Sequence, residues 1–135
     1  MKNTIDFYQK NLPRLLTLMI LLFATLVPGG PVENRDFSHM ISADPLNPFN
    51  LFNAFLIIIL MTTITMIFYT QTRARWTYRV SMFLGVSYFV IFAIDLAGVF
   101  PTSPTRMSTP LMTIETIDSW VAIMVTWFSY RSLRD

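Results

Sequence analysis

Long apolar stretches alternate with short polar segments along the whole chain. The four apolar stretches cover residues 12–28, 49–70, 80–100 and 110–130. A helix rises about 1.5 Å per residue, so about 20 apolar residues cross the roughly 30 Å hydrocarbon core of a bilayer. The first stretch is the shortest, and residues 8–13 are expected to extend it at the interface. The pattern predicts an all-α protein, a four-transmembrane-helix bundle forming a single membrane domain over residues 1–135.

Proline, glycine and asparagine mark two loops at one end of this predicted bundle, over residues 29–48 and 101–109. Residues that precede a proline are biased away from helix, which supports both loops. Asn47 and Thr109 each precede a proline at the start of a predicted helix, so both are expected to act as N-caps.

The first of these loops is too apolar for a flexible linker. It is expected to fold over the end of the bundle, anchored by Phe37, Met40, Ile41 and Leu46.

The basic residues are distributed unevenly between the two ends of the predicted bundle. Eight of the ten fall at the end that holds both termini: Lys2, Lys10, Arg14, Arg73, Arg75, Arg79, Arg131 and Arg134. The loops at the opposite end hold Arg35 and Arg106. Because short cytoplasmic segments retain Lys and Arg, both termini are predicted to be cytoplasmic, with the protein in a bacterial inner (cytoplasmic) membrane.

Composition supports a lipid environment and argues against several functions. Hydrophobic residues make up 53% of the chain and charged residues 13%, where a soluble domain has about 25% charged residues. Without Cys and with one His, no thiolate or bis-His metal or haem site is expected, so we predict neither cofactor nor bound transition metal. The scattered basic residues make a nucleic-acid partner improbable. No catalytic motif is present, so no enzymatic activity is expected.

Three acids lie within the predicted helices: Asp95 in the third, and Glu115 and Asp118 in the fourth. A carboxylate at the centre of a membrane helix costs about 2.5–3.5 kcal/mol, so an acid in such a helix is expected to be paired or functional. Asp95 lies five residues before Phe100 and Glu115 five residues after Pro110. These separations predict similar depths, roughly 7–8 Å from the outer end, with Asp118 one turn deeper.

Further polar residues are expected beside these acids. Asn50 and Asn53 share one face of the second helix at a similar depth, and Arg35, His39 and Arg106 in the two loops are candidate partners. The acids could pair structurally, for example as Asp95 with Arg106 or Glu115 with Arg35. They could instead bind a proton or a hard cation, or form a docking surface for another membrane subunit. The residues leave these alternatives open.

Small residues on the third helix indicate close contact with a neighbouring helix. Ser81 and Gly85 form one small-x-x-x-small pair and Ala93 and Ala97 another, with Gly98 one position further on.

Two classes of function fit these features. The first is an accessory or scaffold subunit that packs in the bilayer against other membrane subunits or copies of itself. The alternative is a small oligomeric transporter or channel, coupled to protons or cations, that uses the intramembrane acids. A thin bundle of four helices leaves little room for a pore within one copy, which favours the first.

Overall fold

The structure is a computed structural model that describes residues 2–27 and 30–134. Within these residues the chain forms four α-helices: α1 (Lys2–Leu26), α2 (Pro48–Tyr69), α3 (Arg75–Leu96) and α4 (Thr109–Leu133). Single 3₁₀ turns cover Ser38–Met40 and Thr70–Thr72, and no strand occurs in the part of the chain described. The prediction of an all-α fold with four long helices is confirmed.

Three helices of the described chain are long and apolar enough to cross a membrane: Pro48–Thr72, Arg75–Leu96 and Thr109–Leu133. The first helix does not meet the same measure of apolar character, because its N-terminal third is polar.

Helix boundaries differ from the predicted ones in α1 and α3. α1 runs unbroken from Lys2 through Pro13, so residues 8–13 continue the helix as expected, and the predicted end at residue 28 lies outside the described residues. α3 ends at Leu96, although the prediction extended it to residue 100. Gly98 has a φ of 73°, a left-handed conformation that favours glycine and stops the helix.

One of the two predicted N-caps is confirmed. The Asn47 side chain accepts a hydrogen bond of 2.9 Å from the backbone N–H of Phe49. The prediction for Thr109 was wrong, because Ser108 has the extended backbone of a cap and its hydroxyl accepts from the N–H of Leu111 at 3.3 Å. Thr109 is the first helical residue, so the helix starts one residue earlier than the proline pattern indicated.

The helices run up and down, so alternate connections lie at opposite ends. At the end we call the base, the Gln9 amide donates to the carbonyl of Ser132 at 3.4 Å. An ion pair of 2.6 Å joins Arg73 to Asp6 at the same end. The start of α1, the α2–α3 turn and the end of α4 therefore lie together at the base.

The opposite end, which we call the mouth, is formed by residues 30–47 and 97–108. Asn34 ties the two loops together, since its amide donates to the carbonyl of Arg106 at 2.8 Å and accepts from the N–H of Ser108 at 3.0 Å.

The loop over residues 30–47 covers the mouth with fewer apolar anchors than predicted. Phe37 is buried, its ring centroid 5.8 Å from that of Phe49, and Met40 is half-buried. Ile41 and Leu46 are 71% and 72% exposed, so the prediction that they anchor the loop was wrong. Both lie beyond the 3₁₀ turn, where the chain turns outward before α2.

A stripe of α1 fills the centre of the bundle. Leu12, Leu16, Met19 and Phe23 recur at intervals of three and four residues and are all buried. The Phe23 ring meets Tyr88 of α3 edge to face, with centroids 5.4 Å apart. The centre of the bundle is thus occupied by close-packed side chains.

Close contact between α3 and α4 occurs at the first small-residue pair. Ser81 and Gly85 are buried, and a Cβ atom at Gly85 would lie 2.9 Å from both the Ala122 carbonyl oxygen and the Thr126 backbone nitrogen. The second set makes no such contact within the described chain, and a contact there with a helix of another chain stays a prediction. Ala93, Ala97 and Gly98 are exposed, because α3 ends at Leu96 and this side of its last turn faces away from the bundle.

We expect Gly85→Ala to reduce the free energy of unfolding by about 1–3 kcal/mol, since the added methyl group must force two backbones apart. The matched control is Ala93→Val on the exposed face of the same helix, expected to change it by less than about 0.5 kcal/mol. Denaturant unfolding in detergent measures both. Equal effects of the two variants would contradict the close α3–α4 contact.

Candidate functional site

The guanidinium of Arg35 lies at the centre of a network of charged groups in the mouth. Its Nη1 and Nη2 donate to the two carboxylate oxygens of Asp95 at 2.6 and 2.9 Å. Its Nε and Nη2 donate to the two oxygens of Glu33, both at 2.9 Å. The side chains of Arg35, Glu33 and Asp95 are 6%, 3% and 13% exposed, so this is a largely buried ion-pair network.

Local contacts also hold Arg35 in this position. Glu33 also accepts from the backbone N–H of Arg35 at 2.9 Å, which turns the chain inward. The guanidinium lies 4.9 Å from the centre of the Phe37 ring, a cation–π contact. Burial lowers the pKa of Arg35, but its hydrogen bonds and ion pairs with Glu33 and Asp95 outweigh this and raise the pKa above its ordinary value. Arg35 is therefore charged and joins the α1–α2 loop to α3.

The structure pairs these charges differently from the sequence-based suggestions. Asp95 pairs with Arg35, where Arg106 had been suggested, and Arg35 forms its hydrogen bonds with Asp95 and Glu33, where Glu115 had been suggested. The Arg106 side chain is exposed, and the backbone carbonyl of Arg106 accepts a hydrogen bond from the Asn34 amide. His39 is exposed on the 3₁₀ turn.

A cavity of about 50 Å³ lies inside the mouth, against this ion pair. All four helices line it, and most of its wall is apolar, with the phenyl rings of Phe23, Phe49 and Phe92 among the lining groups. Asp95, Glu115 and Asn53 line the same cavity. The structure thus brings together one predicted residue from each of α2, α3 and α4.

Two other predicted members lie apart from the cavity. The Asn50 amide donates to the carbonyls of Ser42 and Asp44, both at 2.8 Å, and so braces the loop before α2. Asp118 is fully buried one turn further along α4 and interacts electrostatically with Tyr88. Asp95 lies in the last turn of α3, just before the helix ends at Leu96.

The buried carboxylate oxygens of Glu115 and Asp118 accept no hydrogen bond from a donor group in residues 2–27 and 30–134. Glu115 is 1% exposed and Asp118 is fully buried. An ionised carboxylate in apolar surroundings is strongly disfavoured unless a donor or cation compensates it. Each of these groups must therefore carry a proton or receive a cation or a donor from outside the described chain.

Sequence reasoning gave no role to Glu33 or to a buried hydroxyl pair. The hydroxyls of Thr63 and Tyr88 lie 2.9 Å apart, joining α2 to α3. In both cases the sequence contains a spacing that could have indicated the role. Glu33 is two residues from Arg35, and Tyr88 is seven residues, or two helical turns, before Asp95.

The chain belongs to a family described as a domain of unknown function (DUF8051), whose model matches residues 8–135. No curated protein and no solved structure matches the chain.

We expect Arg35→Gln to lower the free energy of unfolding by about 3–5 kcal/mol, because it leaves the Glu33 and Asp95 carboxylates buried without a countercharge. Arg106→Gln removes an exposed guanidinium at the same end and should cost less than about 0.5 kcal/mol. Thermal and denaturant unfolding in detergent give both values. A milder effect for Arg35→Gln than for Arg106→Gln would refute the assigned pairing.

Proposed function

We propose that this chain is an integral membrane protein of a bacterial inner membrane and serves as a non-catalytic accessory or scaffold subunit. In this proposal α1 to α4 all cross the bilayer and both termini are cytoplasmic. The protein packs against other membrane subunits or against copies of itself, with lipid covering the remaining surface.

The position of α1 supports four crossings, although its N-terminal part is polar. α1 runs beside α4 from the Gln9–Ser132 contact at the base to Leu26 at the cavity in the mouth. A bilayer that contains α4 therefore also contains most of α1. The outward positions of α1 within that length include Leu18 and Leu21, which are exposed and apolar.

The proposed orientation rests on the charges at the base. Eight of the ten Lys and Arg belong to the segments that meet there, and the mouth holds Arg35 and Arg106. Arg35 is neutralised by two acids, which further reduces the positive charge at the mouth. This asymmetry is typical of a bundle whose base faces the cytoplasm.

The observation that carries the packing role is an open apolar groove between α3 and α4. It has a volume of about 390 Å³, and Met82, Val86 and Phe89 form one wall, with Ile123 and Trp127 on the other. Grooves of this kind receive the side-chain ridge of a further helix. The filled centre of the bundle also favours packing over conduction within one copy, since Leu12, Leu16 and Met19 are buried there.

A second candidate function is proton- or cation-coupled transport by an oligomer. The buried carboxyls of Glu115 and Asp118, which accept no hydrogen bond from a donor in the described chain, favour it. Acids of this kind in membrane helices are typical of ion and proton pathways.

Cysteine labelling tests the proposed topology. Cysteine replacing Ser103, in the mouth, should react with a membrane-impermeant thiol reagent added outside intact cells, whereas cysteine replacing Thr72, at the base, should react only after permeabilisation. The chain has no cysteine of its own, so the background is low. The reverse pattern would invert the proposed orientation.

Photo-crosslinking in native membranes tests the packing role. A photoreactive residue replacing Phe89, in the groove, should give a discrete crosslinked protein band, either a dimer of this chain or a complex with another membrane subunit. The matched control replaces Phe68, which is 66% exposed on α2 and outside the groove. It should give mainly lipid adducts.

Lipid adducts alone at both positions would contradict protein packing in the groove. Proton or Na⁺ flux into liposomes containing the purified chain, lost in Glu115→Gln, would replace the packing role by the second candidate. Flux equal to that of empty liposomes would exclude transport by this chain alone.

A further inference from the structure

The cavity in the mouth has an imbalance of charged groups. Glu33, Asp95 and Glu115 line it together with Arg35. The guanidinium of Arg35 donates four hydrogen bonds to Glu33 and Asp95, and it donates none to Glu115. Were all four groups ionised, three negative charges would share one positive charge in a largely apolar space. Such a state is strongly disfavoured at low local dielectric.

No neighbouring helix supplies a compensating charge in the described chain. α1 presents Phe23 and Leu26 to the cavity, and α2 presents the neutral amide of Asn53. On α4, Asp118 lies one turn deeper, and on α3 Tyr88 faces Asp118. The groups that decide the charge of Glu115 are therefore Asp95, Arg35 and Glu33, of which Asp95 interacts with it most strongly.

A path for protons leads to this cavity from the outside. An open cleft of about 690 Å³ lies on the mouth and is lined by Arg106, Ser103 and Thr105. Arg35, Asp95 and Pro101 line both the open cleft and the inner cavity. Asp95 thus forms part of the wall between them, with one side towards solvent and the other towards Glu115.

We propose that Asp95 and Glu115 form a carboxyl pair that binds a single proton taken from water in the outer cleft. The proton forms an O–H bond with one carboxylate oxygen and is donated in a hydrogen bond to an oxygen of the other carboxyl. On release it returns through Asp95 to water in the cleft. The pair then carries one negative charge, so two negative charges, on the pair and on Glu33, lie beside the positive charge of Arg35 where there would otherwise be three.

A proton suits this site better than a metal ion. Hard cations such as Ca²⁺ need six to eight oxygen ligands, and Mg²⁺ demands near-octahedral geometry. The described residues contain no convergent set of three acids or histidines fit to hold a metal ion. The carboxyl pair does not depend on the proposed packing role, and its test needs neither a partner nor transport.

Infrared spectroscopy of the purified chain in lipid nanodiscs tests the pair across a pH series. The carbonyl stretch of a protonated carboxylic acid should be present at neutral pH and lose intensity as pH rises. Glu115→Gln should remove one component and Asp118→Asn another, separating the two buried acids. Since the folded chain holds a proton that the unfolded chain releases, thermal stability of the wild type should also fall as pH rises, and less so in Glu115→Gln.

Asp95→Asn distinguishes a pair from an isolated buried acid. With the negative charge of Asp95 removed and an amide donor in its place, Glu115 should lose its proton at a lower pH, so the midpoint of its carbonyl band should shift down. The matched control is Asp6→Asn, which breaks the ion pair at the base and should leave the midpoint unchanged.

An unchanged midpoint in Asp95→Asn would refute the pair. So would a wild-type spectrum in which Glu115→Gln removes no protonated carbonyl band at neutral pH. Loss of that band on adding Na⁺ or Ca²⁺ at constant pH would show that a metal cation, and not a proton, is the ligand.

Discussion

The mouth of this bundle depends on the double pairing of Arg35 with Glu33 and Asp95. The contact joins residues 60 positions apart and fixes the α1–α2 loop to the last turn of α3. With Arg35 held there, Phe37 is buried against Phe49 and the loop closes over the inner cavity. That closure keeps solvent from Glu115. The loop thus adds a cover above an acid that already lies on the inward face of α4.

The helix content and the number of helices follow from the sequence. Long apolar runs between proline-rich segments have few other ways to form the hydrogen bonds of their backbone N–H and C=O groups. The end of α3 does not follow from the sequence. Its apolar character continues to Phe100, and the stop at Leu96 depends on the left-handed Gly98. A glycine beside Ala97 is equally consistent with a packing position, so Ala93, Ala97 and Gly98 were assigned to a helix contact that they do not make within the described chain.

The sequence predicts that the acids of α4 face inward, but it does not predict which charged residues pair with the acids. The buried positions of α4 include Leu111, Glu115, Asp118, Ala122 and Val125, spaced by three and four residues, so both acids lie on the stripe that packs inward. The choice of Arg35 over Arg106 depends on how a long loop folds back, and the charge count alone cannot decide it. Glu33, two residues from Arg35, was the local signal that favoured Arg35.

The two ends of the bundle are held by interactions of very different strength. At the base, the Arg73 and Asp6 side chains are 45% and 55% exposed, and an ion pair in that position contributes little. At the mouth the ion pairs are buried, and loss of either partner leaves a charge in apolar surroundings. In the proposed carboxyl pair, the gain or loss of a proton at Glu115 would change the charge next to these ion pairs. The mouth is therefore the end at which the stability of the bundle is more sensitive to a change of one charge.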